Sequence, residues 1–429
     1  MLRIGEGETV LDIDNLYLGD CLEVMRGLDD CSVDAVITDP PYGLKFMGKK
    51  WDCDVPPVEV WEECLRVLKP GGYLLAFAGT RTQHRMACRI EDAGFEIRDM
   101  IAWVYGSGFP KSLNVGKAVD ALRGNEREMV GQKTRGYTQN CLEGGPLGGT
   151  FDVSQGTSEW EGWGSALKPA LEPITVARKL LSEKTVAANV LKWGTGGINI
   201  DGCRISEEPW AAHDATGLAK VKFFTNGEAD VIHKEPHTQG RFPANLIHDG
   251  SDEVVGLFPE VAKGRARDRG RHGNTPFSGI DESGAKEGTE SWRGHDDDSG
   301  SAARFFYCGK ASASERNAGC EGLEERPGGS NSKGYTADVA NGLDRNRPTK
   351  NFHPTVKPIA VMEYLIKLVS REGAVVLDPY MGSGTTAVAA IRLGRHWIGI
   401  ERDAEYFALA SARIQKAQAN YQAPLFAGV

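Results

Sequence analysis

The sequence predicts an α/β protein built around a mostly parallel β-sheet with helices on both faces. At both ends of the chain, short apolar segments of strand type alternate with segments whose apolar residues recur at helical spacing. Proline and glycine mark the turns between these segments. Because alternating strands and helices form crossover connections, we expect the strands of both ends to pair in parallel within one sheet.

The N-terminal segment, residues 1–110, begins this alternation. Residues 32–38 form an apolar strand that ends at two prolines, and residues 58–68 have helical periodicity up to a Lys-Pro-Gly-Gly turn. The other elements predicted here are a strand at 15–18, a helix at 21–28, a strand at 73–78, a basic helix at 81–93 and a strand at 95–104. Strands and helices thus follow one another as a doubly covered sheet requires.

The C-terminal segment repeats the pattern, whereas the middle of the chain does not. The C-terminal elements are a helix at 361–369, a strand at 374–377, a helix at 385–393, a strand at 397–400 and a helix at 404–417. Residues 111–350 contain 35 of the 53 glycines, one helical segment at 174–191 and one strand-like segment at 303–308. We therefore predict one circularly permuted α/β domain, formed by residues 1–115 and 345–429, with a long insertion at 116–344.

Composition narrows the class of protein. With 40% hydrophobic and 25% charged residues, the 429-residue chain can bury a sizeable core. The N-terminus lacks the apolar run of a signal peptide, and no stretch of about 18 apolar residues predicts a membrane span. Nine cysteines are scattered without a Cys-x-x-Cys pair, which argues against a disulfide framework and a zinc site. We expect a cytoplasmic protein that binds no metal.

The net charge of −9 is unevenly distributed. Residues 1–110 contribute −8, residues 111–350 contribute −3 and residues 351–429 contribute +2. A nucleic-acid-binding face is a local property of the surface. The total charge therefore weakens the case for a nucleic-acid partner without excluding one.

The first motif with a chemical role is Asp39-Pro40-Pro41-Tyr42, at the carboxyl end of a predicted strand. Ligands of open parallel sheets bind outside the carboxyl ends of the strands. An exocyclic base amine is a poor nucleophile, and a carboxylate together with a backbone carbonyl would localise its lone pair and stabilise the developing cation. Asp39 supplies the carboxylate, Pro40 orients the backbone and Tyr42 offers a face for an extruded base. The alternative is a plain strand-to-loop turn.

The second motif also connects a predicted strand to a helix. It runs from Asp378 through Tyr380, Gly382 and Gly384 to Thr385. Its spacing matches neither a dinucleotide fingerprint nor a phosphate-binding loop, although its glycines allow close backbone approach to a ligand. The next strand ends at Glu401, where an acid could accept both ribose hydroxyls of a nucleoside. The alternative is a tight turn and a solvated glutamate.

Two shorter features accompany these motifs. Asp20 follows a predicted strand and could accept from an adenine amino group, or it could cap the helix that follows. Residues 353–358, His-Pro-Thr-Val-Lys-Pro, precede a helix and place Lys357 as a cation for a cofactor carboxylate. Taken alone, this second segment favours a proline-shaped linker over a binding site.

Taken in order, these motifs resemble those of the β-class amino DNA methyltransferases, the group that contains N6-adenine and N4-cytosine enzymes. Asp39, Pro40, Pro41 and Tyr42 match the family's catalytic motif, and Gly382 and Gly384 match its Phe-x-Gly-x-Gly motif with Tyr380 in place of phenylalanine. The resemblance covers about 200 residues at the two ends of the chain. It implies a Rossmann-like methyltransferase fold, S-adenosylmethionine as cofactor and a target-recognition insertion.

The resemblance also assigns the cofactor-binding residues. Asp378, Glu401 and Asp20 would bind the methionine, ribose and adenine parts of S-adenosylmethionine. The remaining members of the expected cofactor site are Tyr380, Gly382, Gly384, Thr385, His353, Thr355 and Lys357.

The insertion is the expected reader of double-stranded DNA. Its densest basic run comprises Lys263, Arg265, Arg267, Arg269 and Arg271. Lysine and arginine on a glycine-containing loop suit phosphate contacts, and arginine can also read guanine edges. A solvated loop is the alternative. By analogy with the family, a homodimer and a cognate restriction endonuclease are further expected partners.

The expected activity is site-specific methylation of adenine N6 by base flipping. Aspartate at the first motif position predominates among the family's adenine enzymes, whereas its cytosine-N4 enzymes more often carry serine. Cytosine N4 is the first alternative, because some cytosine enzymes share the motif. Methylation of RNA or of a protein amide is disfavoured by Asp39, since those enzymes usually have asparagine there. A DNA-binding regulator on a catalytically dead scaffold is disfavoured by the intact motifs.

Overall fold

The computed structural model describes residues 12–44, 52–106, 108, 112–134, 150–205, 240–261, 300–309, 313–327 and 348–422. The strands are β1 (Asn15–Leu18), β2 (Val33–Thr38), β3 (Leu68–Phe77), β4 (Glu96–Val104), β5 (Glu128–Thr134), β6 (Thr150–Gln155), β7 (Leu171–Arg178), β8 (Leu246–His248), β9 (Glu260–Val261), β10 (Gly300–Ser301), β11 (Tyr307–Cys308), β12 (Arg326–Pro327), β13 (Pro348–Thr349), β14 (Val375–Asp378) and β15 (His396–Glu401). The α-helices are α1 (Cys21–Met25), α2 (Val58–Val67), α3 (Gln83–Asp92), α4 (Val115–Arg123), α5 (Val186–Trp193), α6 (Asp252–Val255), α7 (Ala313–Asn317), α8 (Ile359–Val369), α9 (Thr385–Arg392) and α10 (Ala404–Gln422).

A nine-stranded sheet organises the molecule, in the order β1-β15-β14-β2-β3-β7-β4-β8-β11. All neighbouring strands pair in parallel except β7, which is antiparallel to β3 and to β4. Three two-stranded ladders, β5 with β6, β9 with β10 and β12 with β13, lie outside this sheet. The predicted α/β class with a mostly parallel sheet is confirmed.

Two hydrophobic layers cover the faces of the sheet. Ala35 and Ile37 of β2 point into a layer with α8, α9 and α10, whereas Val33 and Val36 point into a layer with α1, α2 and α3. Every residue of β2 is buried because the strand is covered on both sides. This explains why apolar residues of this strand face both sides of the sheet and do not alternate strictly with polar ones.

The two ends of the chain meet at the centre of the sheet. Strand β14 pairs with β2 through Val376 opposite Ala35 and Leu377 opposite Val36. Buried Asp34 reinforces this junction: it accepts from the backbone N–H of Val375 at 2.8 Å and forms an ion pair with Lys69. The predicted union of both chain ends in one sheet is therefore confirmed.

The helix predicted over residues 174–191 is wrong. Residues Leu171–Arg178 form β7, and the helix α5 starts only at Val186, where Thr185 caps it through a hydrogen bond to Ala188 N–H. A strand buried on both faces shows no polar alternation, so its apolar run cannot be distinguished from a buried helix by periodicity. The strand predicted at 303–308 is shorter than expected, since a 3-10 turn occupies Ala302–Phe305.

The central sheet takes strands from the range that the sequence assigns to the insertion. Strands β7, β8 and β11 all lie within residues 116–344 and pair with strands of the first segment or with one another. The predicted division of the chain, with a catalytic domain formed by residues 1–115 and 345–429 and a target-recognition insertion at 116–344, remains a prediction.

Among the described residues, no helix is both long and apolar enough to cross a membrane.

We expect Ile174→Ala to lower the free energy of unfolding by about 2–5 kcal/mol, because it removes a fully buried side chain from the core. Leu191→Ala is the matched control: this side chain of α5 is 90% exposed, so its loss should change stability by less than about 0.5 kcal/mol. Urea unfolding of both variants measures the difference. Equal, small effects would contradict the placement of β7 inside the sheet.

Candidate active site

The carboxyl ends of four parallel strands, β1, β15, β14 and β2, open into one cavity of about 1650 Å³. This is the edge at which ligands bind in open parallel sheets. The cavity brings together most of the residues singled out in the sequence: Asp20, Asp39, Pro40, Pro41, Tyr42, His353, Thr355, Lys357, Asp378, Tyr380, Gly382, Thr385 and Glu401. Residues that are 300 positions apart in the chain thus line one space.

The glycine loop after β14 has a backbone that requires its glycines. Gly382 and Gly384 have φ angles of +55° and +81°, in the left-handed region that side chains disfavour. A Cβ atom on Gly382 would lie 2.9 Å from Nε2 of His353, and one on Gly384 would lie 3.2 Å from Ala410 of α10. Gly384 therefore packs behind the loop, whereas Gly382 lines the cavity.

Asp378 holds this loop to the sheet. Its buried carboxylate accepts from the Thr38 hydroxyl at 2.6 Å, the Tyr380 backbone N–H at 3.0 Å and the Thr386 hydroxyl at 2.5 Å. Burial raises the pKa of Asp378 to about 6, against the opposing effect of these hydrogen bonds. The carboxylate thereby joins the end of β2, the glycine loop and the first turn of α9.

Two further acids shape the neighbouring wall of the cavity. Glu401, at the end of β15, accepts from the backbone N–H of Gly382 at 2.8 Å and of Asp403 at 2.7 Å. Its pKa is raised by burial. Asp20 accepts from Leu22 N–H at 3.0 Å and is the N-cap of α1, so the helix-capping role considered for it is confirmed. Each acid faces the cavity while it also orders local backbone.

The catalytic motif is part of a cluster of four polar side chains. The Tyr42 hydroxyl lies 2.6 Å from Oδ1 of Asp39 and 3.0 Å from Oε2 of Glu172. Lys357 Nζ lies 2.6 Å from Oδ2 of Asp39 and 3.2 Å from Oε2 of Glu172. The ammonium group is also 5.0 Å from the ring centroid of Phe77, at a cation–π distance.

Burial and mutual charge shift the pKa values of this cluster. Burial raises the pKa of Asp39, Lys357 opposes that rise, and the neighbouring charge of Glu172 adds to it. Burial alone would lower the pKa of Lys357, but Asp39 and Glu172 outweigh it and raise the pKa above its usual value. Burial and the two carboxylates raise the pKa of Tyr42 well above its ordinary value. Lysine therefore stays charged and tyrosine stays protonated at neutral pH.

The sequence placed Lys357 with the cofactor, whereas the structure places its ammonium against Asp39 of the catalytic motif. Glu172 was not singled out in the sequence at all. It lies on β7, in the segment misread as leading into a helix, where its position beside Pro173 carried no signal. A strand prediction for this segment would not have been enough, because Glu172 lies at the start of β7 and only the antiparallel direction of that strand brings its amino end to the ligand-binding edge.

The segment before α8 is held in place from several sides. His353 donates its backbone N–H to Asn351 at 3.1 Å, and its carbonyl accepts from Arg316 at 3.0 Å. Its ring packs edge-on against Tyr406, with 4.6 Å between centroids.

The predicted DNA-contacting residues Lys263, Arg265, Arg267, Arg269 and Arg271 lie outside the described residues. Within the described part of the chain, no group of three or more His, Cys, Asp or Glu could hold a metal ion.

Comparison with curated proteins finds local similarity to two bacterial enzymes. The chain is 48% identical over 63 residues to the type II methyltransferase M2.DpnII of Streptococcus pneumoniae. It is 47% identical over 64 residues to the type II methyltransferase M2.LlaDCHI of Lactococcus lactis subsp. cremoris. Each match covers 15% of this chain, and the chain spans about a quarter (24%) of the length of these relatives.

The solved structures that align with this chain have low sequence identity to it. M1.HpyAVI is 16% identical with a TM-score of 0.37, over 93% of this chain and 98% of that one. The PvuII DNA methyltransferase, described as cytosine-N4-specific, is 14% identical with a TM-score of 0.41, over 96% and 93% of the two chains.

A family model described as a DNA methylase, for N6 and N4 methyltransferases, matches residues 33–122 and 274–412. S-adenosylmethionine is the methyl donor of such enzymes, in agreement with the cofactor expected from the motifs. The matched residues include both the catalytic motif and the glycine loop, and they amount to more than half of the chain. The chain therefore belongs to the N6/N4 DNA methylase family.

Proposed function

We propose that this chain transfers a methyl group from S-adenosylmethionine to an exocyclic amine of double-stranded DNA, with adenine N6 as the target. The observation that carries the proposal is the shared cavity. The carboxylate of Asp39 and the glycine loop at Gly382 line the same space at the carboxyl ends of adjacent strands. A methyl donor held by the loop would face an amine held by the carboxylate.

The cofactor would occupy the side of the cavity formed by β1, β14 and β15. Glu401 would accept from the ribose hydroxyls, and Asp20 would accept from the adenine amino group. Gly382 allows the backbone to approach the methionine part closely. Asp378 supports this end of the site by ordering the loop. The other proposed members are Tyr380, Thr385, His353 and Thr355, which line the cavity, together with Gly384, which packs behind the loop, and Lys357, whose ammonium group pairs with Asp39.

The target amine would occupy the side formed by the catalytic motif. Asp39 and the Pro40 carbonyl would accept the two N–H bonds of the amine, which localises the nitrogen lone pair toward the donor methyl group. Tyr42 would stack on the flipped base. The same two acceptors stabilise the positive charge that forms on nitrogen, so the site favours the transition state over the bound substrate.

The insertion at 116–344 would provide most of the sequence recognition. Lys263, Arg265, Arg267, Arg269 and Arg271 remain the proposed phosphate and base contacts. A homodimer and a partner endonuclease are further expectations from the family resemblance.

We expect Asp39→Ala to reduce the single-turnover rate of methyl transfer on the order of 10²-fold or more, because one charge-assisted acceptor is lost from a preorganised site. The affinity for S-adenosylmethionine should stay within about twofold, since Asp39 contacts the amine and not the sulfonium ligand. Rapid-quench measurement with labelled donor tests the rate, and calorimetry tests binding. Near-normal turnover would remove Asp39 from the catalytic role.

Glu401→Ala should weaken S-adenosylmethionine binding about tenfold or more. The change removes charged hydrogen bonds worth roughly 1.5–3 kcal/mol and frees the Gly382 backbone that Glu401 orders. Glu405→Ala is the matched control, because Glu405 is an exposed acid of the following helix and does not line the cavity. Calorimetric titration measures the affinity of both variants for S-adenosylmethionine. Equal affinities of the two variants would show that the ribose binds elsewhere.

The product should be N6-methyladenine. The carboxylate of Asp39 can accept from an amine whose ring neighbour N1 needs at most one further donor. Nucleoside mass spectrometry of DNA from a methylation-free host that expresses this chain identifies the modified base. A peak for N4-methylcytosine without N6-methyladenine would transfer the proposal to cytosine.

A further inference from the structure

Glu172 reaches into the catalytic cluster from β7, although the proposed transfer of the methyl group does not itself use this acid. We propose that Glu172 is the terminal acceptor of a proton relay, in which the proton lost by the methylated amine passes through Asp39 and Tyr42. This inference rests on the proposed function and adds to it a positioning and proton-accepting residue from the antiparallel strand.

The geometry of the relay is continuous. The Tyr42 oxygen lies between the two carboxylates, 2.6 Å from Asp39 and 3.0 Å from Glu172. Both distances suit O–H···O hydrogen bonds. A proton can therefore move from one carboxyl group to the other through a single hydroxyl group, without a bridging water molecule.

The number of donors in the cluster favours proton sharing. A phenol has one proton to donate, and an ionised carboxylate can only accept. Tyr42 therefore cannot satisfy Asp39 and Glu172 at once when both are ionised. Lys357 donates to both acids, and Tyr105 also faces Glu172: burial, followed by the charge of Glu172, raises the pKa of Tyr105 to about 12.

Charge balance gives the cluster capacity for one proton. Two ionised carboxylates and one ammonium leave a net charge of −1 in a largely buried space. An uncompensated charge is costly there, so uptake of one proton, which makes the cluster neutral, is favourable. Methyl transfer from a sulfonium to an amine releases one proton in each turnover.

The amine nitrogen bonds to the methyl carbon while the carbon–sulfur electron pair goes to sulfur, and the nitrogen becomes cationic. Its proton moves to Asp39 while this charge develops, so the relay acts within the methyl-transfer step. Asp39 then passes a proton to the Tyr42 oxygen while the original Tyr42 hydroxyl proton moves to Glu172, so the tyrosine remains neutral.

The position of Glu172 explains why a relay would be useful. Asp39 faces the amine that the base presents, so a bound product would cover its path to water. The exposed fractions of the two side chains are similar, 18% for Asp39 and 20% for Glu172, but Glu172 lies one hydroxyl group farther from the amine, so a bound base would cover Asp39 first. Glu172 can therefore return the proton to solvent while the product still occupies the site.

The test compares Glu172→Gln and Tyr42→Phe in single turnovers of methyl transfer to duplex DNA, from about pH 5 to 9. We expect each change to lower the plateau rate about tenfold or more, with S-adenosylmethionine affinity within about twofold. The double variant should be no slower than the slower single variant, because both changes interrupt one pathway. In Glu172→Gln the acid limb should move to lower pH, because Asp39 loses a negative neighbour that raises its pKa.

Glu96→Gln is the matched control. Glu96 pairs with Arg178 at the other end of β7, so its loss disturbs the same strand far from the cavity. Its plateau rate and acid limb should stay within experimental error of those of the unchanged chain.

Three results would overturn the relay: a Glu172→Gln rate within twofold of the unchanged chain, a slower rate with an unmoved acid limb, or rate losses that multiply in the double variant. The second result would assign Glu172 a merely structural role. An unchanged chain that transfers no methyl group to DNA would instead overturn the proposed function itself.

Discussion

The pairing of β2 with β14 is the constraint on which the site depends. These two strands come from opposite ends of the chain, and their carboxyl ends carry the catalytic motif and the glycine loop. The buried hydrogen bond from Thr38 to Asp378 joins residues 340 positions apart, directly beside Asp39. Any shift between the two strands would separate the amine acceptor from the cofactor loop.

The entropic cost of this long-range junction is modest, because the entropy lost on closing a loop grows slowly with the length of the loop. Each doubling of the intervening chain costs only about 0.6 kcal/mol. The pairing itself is stabilised by strands buried on both faces and by Asp34, whose carboxylate bonds to the backbone of β14 and to Lys69. The fold can therefore accommodate a long intervening chain between β2 and β14 without losing the register of these central strands.

Burying the catalytic cluster in the protein interior costs free energy. Asp39, Glu172 and Lys357 are charged groups withdrawn from water, and removing charges from water offsets much of their mutual attraction. Buried ion pairs are weak evidence for stability, and perturbed pKa values concentrate at functional sites. The arrangement is accordingly best understood through the proton and charge chemistry of the proposed reaction.

Local sequence pattern was sufficient for much of the fold. Regions such as 32–38 and 385–393 carry strand and helix periods that tertiary contacts did not override, and proline and glycine located their ends. The same local reasoning identified Asp39 and Gly382, because ligands bind at the strand-to-loop junctions of parallel sheets.

Only the tertiary structure decided the rest. A strand buried on both faces has the apolar run of a helix, so the position of β7 depended on its neighbours β3 and β4. The pairing of Lys357 with Asp39 and the presence of Glu172 beside Tyr42 likewise arose from strand order, because side chains from distant segments meet only after the sheet has formed.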